Sequence, residues 1–148
     1  MIKIFTDGAC SGNPGIGGWG AVIIIDNAES LFLNGGEKVT TNNKMELKAA
    51  INSLKYFKKP ETIEIFTDSK YVKDGINSWI INWKKNGWKT SSKQNVKNKE
   101  LWIELDNQIT KHKIEWEWVK GHAGNKYNEE ADVLARKFIE NTRRHYGH

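Results

Sequence analysis

Cysteine is almost absent from this 148-residue chain: Cys10 stands alone. That excludes an internal disulfide and a cysteine-cluster zinc site, and it suits a reducing compartment. Proline is scarce, at two residues, and no Pro-, Gly- or Ser-rich linker divides the chain, so one domain over residues 1–148 is expected. Long apolar runs are missing. The longest, Ala21-Val22-Ile23-Ile24-Ile25, falls far below the ~20 residues of a membrane-spanning helix. The opening Met1-Ile2-Lys3-Ile4-Phe5-Thr6-Asp7 lacks the apolar core and small-residue cleavage site of a signal peptide, so a cytoplasmic location with no membrane partner is expected. One further absence is local: from Gly75 to Lys99 there is no acidic residue.

That segment instead carries six lysines, Lys84, Lys85, Lys89, Lys93, Lys97 and Lys99, and three tryptophans, Trp79, Trp83 and Trp88. The whole chain has a net charge of +5; without those six lysines 17 basic residues face 18 acidic ones, a net −1. The basicity therefore belongs to one aromatic-rich segment, the footprint expected of a polyanion-binding surface.

Hydrophobic periodicity divides the rest. Strands are expected at Ile2 to Asp7, Trp19 to Asp26, Ser30 to Val39, Ile63 to Thr67 and Ile114 to Val119. Gly8 to Gly20, with six of the thirteen glycines, reads as a tight loop or hairpin approach, and Asp26-Asn27-Ala28-Glu29 as a turn. Leu47, Ala50, Ile51, Leu54 and Phe57 recur at helical spacing before Pro60. Further helices are expected from Asp68-Ser69, over Trp79 to Lys85 with an exposed loop after it, around Leu101, Leu105 and Ile109, and along Ala131, Leu134, Ala135, Phe138 and Ile139. The order is three strands, helix, strand, helices, strand, helix: an α/β sheet with an antiparallel start.

The string Ile-Phe-Thr-Asp occurs twice, at residues 4–7 and 65–68, each time closing a strand. If those strands are parallel neighbours, Asp7 and Asp68 lie at the same end with backbones ~4.8 Å apart, and carboxylates that close need a cation or a proton between them. On the helices, Glu46 and Asp132 fall at the borders of apolar stripes and not on the solvated faces. Each residue also has a local explanation: Asp7 as a turn residue before Gly8, Asp68 as a helix N-cap, Glu46 as the partner of Asn43 in a variant capping box, Asp132 as the i,i+4 partner of Arg136. Taken together, four carboxylates make a hard oxygen site for Mg²⁺ or Mn²⁺. His122, between glycines, could move a proton near such a site, a purely structural histidine being the alternative. Gly15 to Gly20 matches G-x-G-x-x-G, but a β-like run follows where a dinucleotide site needs a helix. No P-loop exists, and Cys10 has no nucleophile motif around it.

Thr6-Asp7-Gly8-Ala9-Cys10-Ser11-Gly12-Asn13-Pro14-Gly15, Thr40-Thr41-Asn42-Asn43-Lys44-Met45-Glu46-Leu47, Thr67-Asp68-Ser69 and Trp118-Val119-Lys120-Gly121-His122-Ala123-Gly124, with Asn128-Glu129 and Asp132, closely resemble bacterial type 1 ribonuclease H over nearly the whole chain. The resemblance implies a ribonuclease H-like α/β fold: a five-stranded mixed sheet, its first three strands antiparallel, flanked by helices and carrying a basic helix-loop protrusion. It implies endonucleolytic cleavage of the RNA strand of RNA/DNA hybrids by a two-metal mechanism. Mg²⁺ would be the cofactor, with Mn²⁺ able to substitute, and the ends would be 5′-phosphate and 3′-hydroxyl. By motif, Asp7, Glu46, Asp68 and Asp132 match the metal-binding carboxylates and His122 the mobile catalytic histidine. Trp79, Trp83, Lys84, Lys85, Trp88, Lys89 and Thr90 match the protrusion that borders the DNA strand. Cys10, Asn13, Asn42 and Asn43 match minor-groove residues, and Thr41 and Asn98 part of a DNA-phosphate pocket.

Three departures stand out. Val39 replaces a frequent arginine beside that pocket, Lys70 replaces a frequent glutamine at the groove, and Asn125-Lys126-Tyr127 differs from the usual loop after the histidine. Same-fold alternatives are a junction resolvase or a reverse-transcriptase domain; a non-catalytic hybrid-binding protein is the alternative of a different class, against which the repulsion of four unused carboxylates argues. A monomer with no obligate protein partner is expected.

Overall fold

The alternation of apolar residues in the strands has two destinations. The computed structural model describes residues 1–120 and 125–146. Its five strands are β1 (Ile2–Ser11), β2 (Gly15–Ile25), β3 (Glu29–Thr40), β4 (Thr62–Thr67) and β5 (Lys113–Trp118), in the sheet order β3-β2-β1-β4-β5. β1, β2 and β3 pair antiparallel, while β4 is parallel to both β1 and β5. Ile2, Ile4, Ile63 and Ile65 pack on one side with Leu47, Ile51 and Leu54 of α1 (Asn42–Lys55) and Leu105 of α4 (Lys99–Lys111). Phe5, Val22 and Ile24 pack on the other with Ala131 of α5 (Lys126–Tyr146). Side chains buried as completely as Leu47 and Leu54 each contribute ~1.5–3 kcal/mol.

Of the two readings of the glycine-rich stretch from Gly8 to Gly20, a tight loop or a hairpin approach, the structure has the hairpin: β1 continues to Ser11, β2 begins at Gly15, and the pairing runs from Ile2↔Ile25 to Ser11↔Ile16. The glycines serve close packing here more than turning. A Cβ on Gly20 would lie 2.2 Å from the Ala131 carbonyl oxygen, so α5 can sit on β2 only because the strand there is bare. The β2–β3 turn is as expected, with Asp26 and Asn27 at φ of 53° and 60°, a conformation their short polar side chains tolerate.

The helix expected over Trp79 to Lys85 is instead part of a longer rod. α2 (Lys70–Asp74) runs through a π turn at Gly75–Trp79 into α3 (Ile80–Lys85), with the Ile80 N–H reaching back five residues to the Gly75 carbonyl. Such a turn widens the rod and re-aims the side chains of α3. The rod is held by Tyr71, whose hydroxyl accepts from Trp102 Nε1 (2.9 Å) and Asn98 Nδ2 (3.1 Å) of the α4 region. No helix among the described residues is long and apolar enough to cross a membrane.

Candidate active site

The register decides where the repeated aspartates go. β1 and β4 are aligned with Phe5 opposite Phe66, and those rings stack at 4.5 Å and 11°. Two residues further along each chain stand Asp7, 3% exposed, and Asp68, half-buried just past β4. Asp68 is not the helix cap: Ser69 is, its Oγ accepting from the Val72 N–H at 3.1 Å. The Asp68 carboxylate belongs to the site and not to the cap.

Glu46 arrives from the second turn of α1. The cap of that helix is Thr41, whose Oγ1 accepts from the Lys44 N–H at 3.3 Å, so an Asn43–Glu46 box is not what holds Glu46. Gly8 is what lets the helix come close: a Cβ there would meet the Glu46 nitrogen at 2.5 Å and the Met45 carbonyl carbon at 2.7 Å. One carboxylate oxygen from each of Asp7, Glu46 and Asp68 lies within 4.8 Å of the others. Asp132, on α5, is outside this close triad and reaches the Asp7 side chain. It also accepts from Arg136 Nε and Nη2, both on Oδ2, at 2.8 and 2.7 Å. Its local role and its place at the site are therefore both real.

The electrostatics follow from this crowding. Burial, then a hydrogen bond with Asp132, then the charges of Asp68 and Asp132 push the Asp7 carboxyl up to about 8. Burial first, then Asp7 and Asp68, holds the Glu46 carboxyl well above its ordinary range. Without a cation, protons must neutralise the cluster. Glu46 Oε1 is buried with no hydrogen-bond partner, an arrangement that costs free energy unless something hard and positive completes it. All donors are carboxylate oxygens, so the residues fit Mg²⁺ or Mn²⁺ and do not suit a soft metal.

The sequence model of the RNase H family matches residues 1–140. The chain is 60% identical over 139 residues to the ribonuclease H of Wolbachia sp. subsp. Drosophila simulans (strain wRi), covering 93% of this chain and 94% of that one. It is 58% identical over 138 residues to that of Francisella philomiragia, covering 93% and 90%. The chain belongs to the RNase H family. Among solved structures, LC9-RNase H1, a type 1 RNase H with the type 2 active-site motif, superposes with a TM-score of 0.82 at 30% identity, covering 95% of this chain and 72% of that one. LC11-RNase H1, solved in complex with an RNA/DNA hybrid, shares the fold with a TM-score of 0.70 at 22% identity, covering 96% and 99%. As a member of this family the chain is a nuclease, a hydrolase of phosphodiester bonds.

The aromatic and basic surface expected of such a nuclease is built around the α2–α3 rod. Trp79, Trp83 and Trp88 form a chain of tilted rings, 5.6 Å and then 6.4 Å between centroids, and Trp83 meets the fully buried Trp102 at 5.4 Å. Trp83 and Trp88 are half-buried pillars; Trp79 is the most open, 36% exposed. Lys84, Lys85 and Lys89 are all exposed, and Lys84 also pairs with Asp106 at 3.3 Å. Thr90 is occupied within its turn, its Oγ1 against Ser92 Oγ at 3.0 Å and accepting from the Gln94 N–H at 3.3 Å.

The other expected contact residues cluster between the β1–β2 turn and α1. Asn13 Oδ1 accepts from the Asn42 N–H at 3.2 Å, Cys10 Sγ donates to the carbonyls of Gly15 and Thr40, and Asn43 is half-buried beside Asn42. Burial raises the Cys10 thiol above its ordinary range, which keeps it a thiol and a weak donor. Asn98 lines a cleft of about 480 Å³ with Lys44, Lys48 and Lys99. Val39 stands exposed on β3, and Lys70 opens α2 beside Asp68. His122 lies outside the described residues. Sequence reasoning passed over Lys73 and Lys120, which share a cavity with Asp68; the signal was Lys73 three residues after Lys70, on the same helix face.

Proposed function

We propose that the chain is a Mg²⁺-dependent endoribonuclease that hydrolyses the RNA strand of RNA/DNA hybrids. The observation that carries this reading is the convergence of Asp7, Glu46 and Asp68, with an unpartnered Glu46 Oε1, in a chain of the RNase H family. Asp7, Glu46 and Asp68 would hold the ions, and Asp132 would complete the site from α5. Divalent ions held there would supply the activation of a water and the stabilisation of the leaving oxygen. Mn²⁺ meets the same donor set.

The residues' own work is positioning. Water adds at phosphorus as the bond to the 3′ oxygen breaks, and the proton that the leaving oxygen takes up passes through His122. Products carry 5′-phosphate and 3′-hydroxyl. Trp79, Trp83 and Trp88 offer faces to the DNA strand, while Lys84, Lys85 and Lys89, with Thr90, meet its phosphates without reading sequence. Thr41 and Asn98 hold a further DNA phosphate. Cys10, Asn13, Asn42, Asn43 and Lys70 line the minor groove, where 2′-hydroxyls separate RNA from DNA. The hybrid bound by LC11-RNase H1 supports this choice of substrate. On this reading residues 1–148 act as one catalytic domain, a cytoplasmic monomer.

The end groups test the chemistry. Fragments of a hybrid digest are expected to be joined by an RNA ligase without prior phosphorylation. Fragments ending in 2′,3′-cyclic phosphate would contradict the reading, because they require attack by the RNA's own 2′-hydroxyl.

A further inference from the structure

Asp68 faces two ways. One side belongs to the carboxylate triad; the other lines a cavity of about 330 Å³ at the ends of β4 and β5, bounded also by Lys70, Lys73, Asp74, Trp118 and Lys120. The floor is fixed. The Val119 N–H donates to the Thr67 carbonyl at 3.0 Å, carrying the β4–β5 pairing one residue past β5. The Ser69 N–H donates to Thr67 Oγ1 at 3.1 Å, and the Lys73 N–H to the Ser69 carbonyl at 3.0 Å. The backbones that carry the three lysines are thus tied to the same strand ends as Asp68. All three ammonium side chains are exposed, and among the described residues none of them forms an ion pair, in contrast to Lys48, Lys55 and Lys84. Asp74 opposes them in the cavity and Asp68 is drawn to the triad, so the balance facing the cavity is cationic.

We propose that this cavity is a phosphate subsite for the strand being cut, in which Lys70, Lys73 and Lys120 hold the phosphate next to the one at the carboxylates. The inference rests on the proposed function. A strand whose phosphate lies at Asp7, Glu46 and Asp68 must leave along one side of Asp68, and an anion passing there meets three unpaired ammonium groups that line one cavity with Asp68. Lysines act as point charges on phosphate and read no base. The subsite therefore sets the register of the cut strand without sequence preference.

The test uses hybrids whose RNA strand carries a single neutral methylphosphonate at each linkage in turn on both sides of one defined cut. They are given to the wild type and to the variant with Lys70→Gln, Lys73→Gln and Lys120→Gln. With the wild type, one flanking linkage is expected to lower kcat/KM by about tenfold when neutralised, as loss of a charge-assisted contact does. With the variant, that same neutralisation should cost nothing further, and the slope of log kcat/KM against log salt should be shallower by about 1. If the wild-type and variant penalties multiply at every linkage, or the salt slope is unchanged, the subsite is refuted while the enzyme stands. If the wild type cuts no hybrid, the proposed function falls and takes the subsite with it.

Discussion

Replacing Asp7 with asparagine should make the metal-free protein more stable. Asp7 is 3% exposed, and its carboxyl is raised from 3.8 to about 8 by burial and by Asp132 and Asp68. A carboxyl whose pKa is higher folded than unfolded stabilises most fully below the unfolded value, and that stability is lost as pH rises through the folded value. Each pH unit of the gap is worth ~1.36 kcal/mol, so at pH 7 the ceiling is ~4 kcal/mol. The gain realised should be about 1–3 kcal/mol, because Glu46 shares the proton load and the amide must find partners. The assay is urea unfolding in EDTA between pH 4 and pH 9. The stability gap between Asp7→Asn and wild type should be near zero at pH 4 and widen towards pH 8. A variant less stable than wild type at pH 8, or a gap independent of pH, would mean that the Asp7 carboxyl is not raised by its burial and its neighbours. Mg²⁺ should close the gap by stabilising the wild type alone, by mass action.

Three other outcomes are expected. Alanine at Lys84, Lys85 and Lys89 together should raise KM several-fold and flatten its salt dependence with little change in kcat; an unchanged KM would remove the protrusion from binding. Gly8→Ala should cost about 1–3 kcal/mol of stability and lower kcat about a hundredfold by displacing Glu46; both are measured on one preparation, and wild-type turnover would contradict the packing argument. His112 is buried, with Nδ1 accepting from the Glu61 N–H and Nε2 donating to the Leu54 carbonyl, each at 3.1 Å. Burial holds its pKa below the ordinary 6.5, so the stability it contributes is present above pH 6.5 and is lost as pH falls through the lowered value. Its imidazole resonances should titrate only below 6.5, and a midpoint at or above that value would contradict the assignment.

The parts of the site that were legible in the sequence are those that depend on period. Asp7 and Asp68 came from a repeated strand ending, and Glu46 and Asp132 from their positions at the edges of apolar helix faces. Those periods are set by local backbone geometry, which the chain carries everywhere. What stayed hidden depends on tertiary packing. The glycines from Gly8 to Gly20 look like loop residues until α5 and α1 are laid on them. Ser69 and not Asp68 caps α2, and because both residue types cap well the string alone leaves that choice open. The π turn at Gly75–Trp79 leaves no periodic trace, and the Lys70, Lys73 and Lys120 cavity joins residues from two strand ends.

Hybrid-specific, metal-dependent cleavage is measured with one end-labelled RNA alone, paired with RNA and paired with DNA, each incubated with the protein in Mg²⁺ and in EDTA. Cleavage confined to the DNA-paired RNA and lost in EDTA is the result that four converging carboxylates and a basic aromatic surface predict. Cleavage that persists in EDTA, or binding of the hybrid with no cleavage in Mg²⁺, would contradict it.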